Sequence, residues 1–125
     1  MKLAEIYRQA AEVIRVNGHN KDGYFRVPAS EVGVTPGPTE YPVCAAGALS
    51  IVVFGEPTPP GPDQDGRPEF DAIVTRLNAR IPEPQLYGFE GEPPVVRLAG
   101  WNDAPGRTAD DVINLFEQTA REVAA

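Results

Sequence analysis

The chain has 125 residues, of which 42% are hydrophobic and 23% are charged, a composition typical of one globular domain with a single core. We therefore predict a single domain over residues 1–125. The net charge is −7, with 18 acidic residues against 11 Lys and Arg. This excess of acid disfavours nucleic-acid binding, which needs clustered bases. The single cysteine excludes an internal disulfide, and one Cys with one His cannot supply the four ligands of a structural zinc site, so we predict no metal.

The sequence carries no signal for a membrane. Charges at Lys2, Glu5 and Arg8 interrupt the apolar run that a secretory leader would need. The longest uncharged apolar stretch, residues 43–54, is shorter than the roughly 20 residues that cross a bilayer. We expect a cytoplasmic protein without membrane association.

Two amphipathic helices are predicted at the two ends of the sequence. In the first 17 residues apolar side chains recur at helical spacing, and Gly18 follows as a terminating residue. Near the other end, Thr108 is a predicted N-cap, and Asp111 completes a capping box. Glu117 and Arg121 have the i,i+4 spacing of an ion pair on the outer face of this helix.

Two further helices are predicted over residues 43–54 and 68–81. The first is alanine-rich and uncharged, with Pro42 before it and Gly55 after it. Its β-branched end, residues 51–53, would also suit a strand, and periodicity leaves both assignments open, although the length favours a helix. The second has apolar residues on one face and stops at Pro82.

The remaining segments are rich in Pro and Gly, and we predict irregular loops over residues 18–42, 55–67 and 82–94. Short strands are predicted over residues 24–27 and 95–99. The predicted fold class is mainly α: a compact bundle of about four helices with long Pro/Gly-rich loops and room for one short two-stranded β ribbon.

Three residue types that a thiol hydrolase needs are present. Cys44 falls in the first turn of the predicted helix 43–54, where a helix N-terminus lowers a thiol pKa. His19 is the only histidine, and Asn102 or Asp103 could orient its ring. The alternative is that Cys44 is a small buried residue between Val43 and Ala45. Because no Gly-rich phosphate loop, nucleophile elbow or dinucleotide fingerprint occurs, we predict no cofactor.

The segment Trp101 to Thr108 is the densest in candidate binding residues. It combines the only tryptophan with turn-forming Asn102 and Asp103 and with Arg107, directly before the predicted C-terminal helix. A rigid aromatic beside Asn, Asp and Arg is typical of a small polar-ligand or partner site. Each residue could also have only a local structural role. Tyr87 and Phe89, in a Pro/Gly-rich loop, are further candidates for binding.

Three features carry a resemblance to a known family, and together they span essentially the whole chain. They are the N-terminal helix, the stretch from Cys44 to Leu49, and the Trp-Asn-Asp segment that leads through Gly106-Arg107-Thr108 into a helix. In these features the chain resembles a domain-of-unknown-function family of short proteins from high-GC (actinobacterial) bacteria and their phages. The resemblance implies no particular activity. It does imply an accessory role in a phage or mobile element.

The sequence therefore favours a non-enzymatic protein that acts by binding another protein. Two alternatives stay open. The first is a cysteine-dependent hydrolase or transferase that uses Cys44 and His19. The second is an acidic mimic of nucleic acid, which would need its carboxylates gathered on one face.

Overall fold

The computed structural model describes residues 1–29 and 36–125 and is mainly helical, as predicted. No β-sheet forms among these residues, and the only pairings are isolated bridges such as Phe25 with Val43. The described residues form five α-helices, one more than the four predicted. They are α1 (Leu3–Asn17), α2 (Ala45–Phe54), α3 (Arg67–Asn78), α4 (Pro94–Asp103) and α5 (Ala109–Ala124), with single 3-10 turns at Pro38–Glu40 and Glu83–Gln85.

The two predicted terminal helices are confirmed, and they pack against each other. Tyr7 of α1 and Phe116 of α5 are both fully buried, with ring centroids 6.5 Å apart. The capping box at the start of α5 is present: the Thr108 side chain accepts from the Asp111 N–H, and the Asp111 carboxylate accepts from the Thr108 N–H. Glu117 pairs with Arg15 of α1 rather than with Arg121, so this charge links two helices instead of two turns of one helix.

The uncharged segment forms a helix, α2, but it begins at Ala45, two residues later than predicted. Cys44 is the N-cap: its backbone is extended, and its Sγ accepts a hydrogen bond from the Gly47 N–H at 3.3 Å. Gly55 ends the helix in the left-handed conformation with φ of 76°. Gly47 is needed because a Cβ there would overlap the Tyr24 carbonyl oxygen.

The predicted helix 68–81 corresponds to α3 but ends earlier, at Asn78. Arg80 and Ile81 continue in tight turns, with N–H groups that donate to the carbonyls of Leu77 and Asn78. Pro82 disfavours the α conformation at Ile81, the residue before it, which accounts for Ile81 lying outside the helix.

The strand predicted over residues 95–99 is wrong, because these residues belong to α4. Pro94 begins the helix with a backbone angle already suited to it. Val95, Leu98 and Trp101 recur at helical spacing and are all buried. Burial of this stripe outweighs the β propensity of two adjacent valines.

The second predicted strand, residues 24–27, and with it the β ribbon, is also wrong. This segment contributes only the bridge at Phe25, because its backbone bonds go to the chain just before α2. The Cys44 N–H donates to the Tyr24 carbonyl and the Arg26 N–H donates to the Pro42 carbonyl, both at 3.0 Å. Of the loop predicted over residues 18–42, positions 30–35 lie outside the described residues.

Several elements of the fold meet at the start of α2. α2 contacts both α1 and α4, and α4 also packs against α3. Residues 18–25 cross the start of α2 from one side, and the end of α4 approaches it from another. Within the described ranges, no helix combines the length and the apolar character that a membrane span requires.

Candidate functional site

The candidate site lies where the N-terminus of α2, residues 19–24 and the end of α4 meet. Asn102 in α4 is the residue that joins them, and it is 1% exposed. Its Oδ1 accepts from the Ala45 N–H at 3.0 Å and is 2.8 Å from His19 Nε2. Its Nδ2 donates to the Asn20 carbonyl at 3.0 Å and to Asp103 Oδ1 at 2.9 Å. All four hydrogen-bonding positions of this amide are therefore used.

These partners determine the orientation of the amide and the tautomer of His19. The Ala45 N–H can only donate and the Asn20 carbonyl can only accept, so the two ends of the Asn102 amide cannot be exchanged. Because Oδ1 is an acceptor, His19 must carry its proton on Nε2. In the neutral ring, the free lone pair is then on Nδ1.

The thiol of Cys44 is held in its neutral form. The residue is only 6% exposed, and this burial raises the pKa of the thiol to about 11. The N–H groups at the start of α2 lower the pKa of the thiol, but burial has the larger effect, so the pKa is raised where the sequence predicted a lowered one. Cys44 is therefore protonated at neutral pH.

The structure does not join Cys44 to His19 as a hydrolase would require. Asn102 holds the His19 ring through Nε2, the orienting contact that a hydrolase would use, and leaves Nδ1 free. In the part of the chain that the structure describes, however, no hydrogen bond connects His19 to Cys44, whose Sγ instead accepts from the Gly47 N–H. The geometry instead matches the alternative interpretation, a small buried residue, with an added N-capping role for the sulfur.

Asp103, the third catalytic candidate, is half-buried beside this network. Its Oδ1 accepts from the Asn102 side chain and, at 3.0 Å, from the Asp22 N–H. Asp22 is in the left-handed region with φ of 63°, a conformation that short polar side chains tolerate. Among residues 1–29 and 36–125, no Lys, Arg or His forms an ion pair with Asp103.

A cavity of about 240 Å³ adjoins Asp103 and the Cys44 thiol. Its walls are almost entirely apolar, and Asp103 is the one charged residue that lines it among the residues described. The lining residues are Gly23, Tyr24, Cys44, Ala46, Val95, Val96, Ala99 and Asp103.

Sequence reasoning missed most of these walls because it assigned residues 95–99 to a strand. In a strand, neighbouring side chains alternate between faces. In a helix, positions 95, 96, 99 and 103 fall on one face. This spacing is the feature of the sequence that could have indicated the cavity wall.

The predicted binding residues do not form one site. Trp101 is 5% exposed and Asn102 is buried, so both serve the core rather than a contact surface. Arg107 lies over the Trp101 ring, 4.2 Å from its centroid, and its Nε donates to the Trp101 carbonyl at 2.8 Å. Trp101 and Arg107 line a separate depression of about 220 Å³, whereas Asp103 faces the apolar cavity.

Tyr87 and Phe89 are exposed, by 60% and 70% respectively. The Tyr87 N–H donates to the Arg97 carbonyl at 3.2 Å, which fixes the loop against α4. No cluster of three or more His, Cys, Asp or Glu side chains suited to a metal occurs in the portion described.

The chain belongs to DUF6197, a family of unknown function, whose family model matches residues 1–122. The match covers α1 to α4 and all but the last two residues of α5, so the site described above lies within the family domain. Neither a curated protein nor a solved structure matches the chain significantly.

Proposed function

We propose that the protein acts without catalysis by binding a partner protein at the surface formed by Tyr87, Phe89 and Val96. The observation that carries this proposal is the exposure of three large apolar side chains within one stretch, residues 87–96, at 60%, 70% and 38%. Aromatic side chains exposed in this way are enriched in protein interfaces. Three such side chains within ten residues have more significance than single exposed residues, which are normal on any surface.

The backbone under this surface is held in place, which supports the proposal. Arg97 is 9% exposed; its Nε donates to the Tyr87 carbonyl at 3.3 Å, and its guanidinium pairs with Glu83. Gly100 leaves the space that the Tyr87 side chain occupies. A surface ordered before binding loses less conformational entropy when a partner docks.

We further propose that the protein is an accessory protein of high-GC (actinobacterial) bacteria or their phages that acts in the cytoplasm. The support is the resemblance carried by the Trp101–Asp103 and Gly106–Thr108 segments. A host protein is the partner that this role suggests.

The two alternatives have less support. A thiol-dependent hydrolase needs an accessible thiolate beside a base, whereas Cys44 is buried and protonated. A nucleic-acid mimic needs unpaired acids on one face, whereas four acids on three different helices, Glu12, Asp71, Glu117 and Glu122, pair with arginines.

A double substitution, Y87S/F89S, tests the proposed interaction. Both side chains are exposed, so the variant should keep the melting temperature of the wild type. The matched control is V16S, which removes a 72% exposed side chain from α1. Tagged proteins would be used to recover partners from lysates of the source cells at several growth stages.

We expect a stoichiometric partner with the wild type and V16S, and its loss with Y87S/F89S. A heteromeric complex of the purified components, seen by light scattering after size-exclusion chromatography, would support direct binding. Recovery of no partner at any stage, or equal recovery with all three proteins, would refute the proposal.

A further inference from the structure

The cavity beside Asp103 has the size of a small-molecule site. Its volume of about 240 Å³ exceeds the roughly 150 Å³ of a dry protein cavity that admits benzene. Val95, Val96 and Ala99 from α4 form one wall, and Tyr24 and Ala46 contribute from the other elements. Apolar walls of this kind bind the hydrocarbon part of a ligand.

Asp103 gives the cavity a single negative charge. Of its two carboxylate oxygens, Oδ1 accepts two N–H groups, from Asp22 and Asn102. Oδ2 accepts no hydrogen bond from the residues that the structure describes. The carboxylate is thus fixed in position by one oxygen, while the other remains available for a donor.

The positive charge that would complement Asp103 is not supplied within the described ranges. Lys21 lies in the same segment as Asp22, but its ammonium donates to the Ala104 carbonyl at 2.9 Å. A carboxylate next to apolar walls is stabilised by a cation that also donates hydrogen bonds. A ligand with an apolar body and a cationic nitrogen would satisfy both parts of the cavity.

We propose that this cavity binds a small organic cation, an ammonium or amidinium group attached to a hydrocarbon part of about phenyl size, with Asp103 as the partner of the charge. The same chemistry is found in free amines and in the side chain of a lysine. The inference does not rest on the proposed interaction through Tyr87 and Phe89.

Amide NMR titrations with matched probes test this site. The probes are 2-phenylethylamine, its neutral analogue 2-phenylethanol, and Nα-acetyl-lysine methylamide. We expect at least one of the two cations to shift the amide signals of Tyr24, Val96 and Ala99 at millimolar concentration. The phenylethylamine arm reports on a free amine, and the lysine derivative reports on a lysine side chain.

Two variants separate the charge from the shape of the cavity. In D103N the side-chain oxygen can still accept from Asp22 and Asn102, so the fold should be kept while the charge is lost. We expect D103N to weaken cation binding about tenfold, the effect of losing one charged hydrogen bond, and to leave phenylethanol unchanged. A99L fills the cavity and should abolish binding of all probes.

Several outcomes would overturn the proposal. The first is that neither cation binds. The second is that the wild type and D103N have equal affinity for the cation that binds. The third is that the amide shifts are confined to residues outside the cavity. If D103N does not fold, the wild type decides: a cation that binds no more tightly than phenylethanol refutes the role of Asp103. The Y87S/F89S variant should bind the cations normally, so that failure of one proposal is distinguishable from failure of the other.

Discussion

At Asn102 a single buried amide holds together three parts of the chain that are far apart in sequence. It bonds to His19 and Asn20 after α1, to Ala45 at the start of α2, and to its neighbour Asp103. Removal of the amide leaves several of these groups without a partner in the interior. The cost of an unpaired buried donor or acceptor is about 1–3 kcal/mol.

We therefore expect N102A to lower the free energy of unfolding by about 2–4 kcal/mol. The matched control is N114A, on the exposed side of α5. Urea denaturation of both variants gives the measurement. A loss for N102A no larger than that for N114A would contradict the role assigned to the amide.

The Cys44 thiol predicts a specific dependence of stability on pH. Burial raises its pKa to about 11 from an ordinary value of 9.0. Between these values the unfolded chain loses the thiol proton while the native chain keeps it. The unfolded state thus binds fewer protons, and the free energy of unfolding falls as the pH rises from about 9 to about 11.

The C44S variant isolates this effect, because serine preserves an N-cap acceptor but does not titrate in this range. We expect the stability advantage of the wild type over C44S to shrink by about 1 kcal/mol between pH 9 and pH 10. Tyr7 and Tyr24 also have raised pKa values, mainly because of burial, and both residues are present in the two proteins. Urea titrations under reducing conditions measure the difference, and a constant difference across this range would contradict burial of the thiol.

At the scale of elements, two helical glycines mark close approaches. A Cβ at Gly47 in α2 would overlap the carbonyl oxygen of Tyr24, and one at Gly100 in α4 would overlap the side chain of Tyr87. Alanine normally stabilises a helix relative to glycine by about 1 kcal/mol. Here the overlap with neighbouring atoms opposes that gain.

We expect G47A and G100A each to destabilise the protein by about 1–3 kcal/mol, the range for overpacked sites. The control is G37A, where φ is −71° and no atom lies within 4 Å of the added methyl group. G37A should be neutral or slightly stabilising. Melting temperatures measured by circular dichroism would refute the assignment if all three variants behaved alike.

The elements that sequence reasoning identified are those whose own residues specify them. α1 and α5 each have one apolar face and one polar face, and the Thr108 cap marks the beginning of α5. Residues 95–99 are predicted as a strand because Val95 and Val96, which have high β propensity, follow two prolines and precede Gly100. The buried residues of α4 do have helical spacing, but this spacing selects a helix only when elements distant in sequence pack against it.

For the whole molecule, the buried apolar side chains form one cluster that draws on all five helices. The single tryptophan, Trp101, is part of this cluster. A single core unfolds as a unit, which gives the predicted single domain over residues 1–125 a direct test. We expect urea unfolding curves from Trp101 fluorescence and from circular dichroism to coincide, and two separated transitions would contradict a single domain.

Sequence alone determined the helical class, the two terminal helices and the residue types of the candidate site, because periodicity, capping and residue chemistry are local properties. It named Cys44, His19, Asn102 and Asp103 as candidates, and it left open whether Cys44 is a nucleophile paired with His19 or a small buried residue. Tertiary structure decided that Asn102 holds the His19 ring through Nε2, that burial keeps the thiol neutral, and that Asp103 adjoins an apolar cavity. Those outcomes depend on which segments, distant in sequence, come together at the start of α2. The reason is that hydrogen bonds and desolvation between two segments arise only when the fold brings those segments into contact.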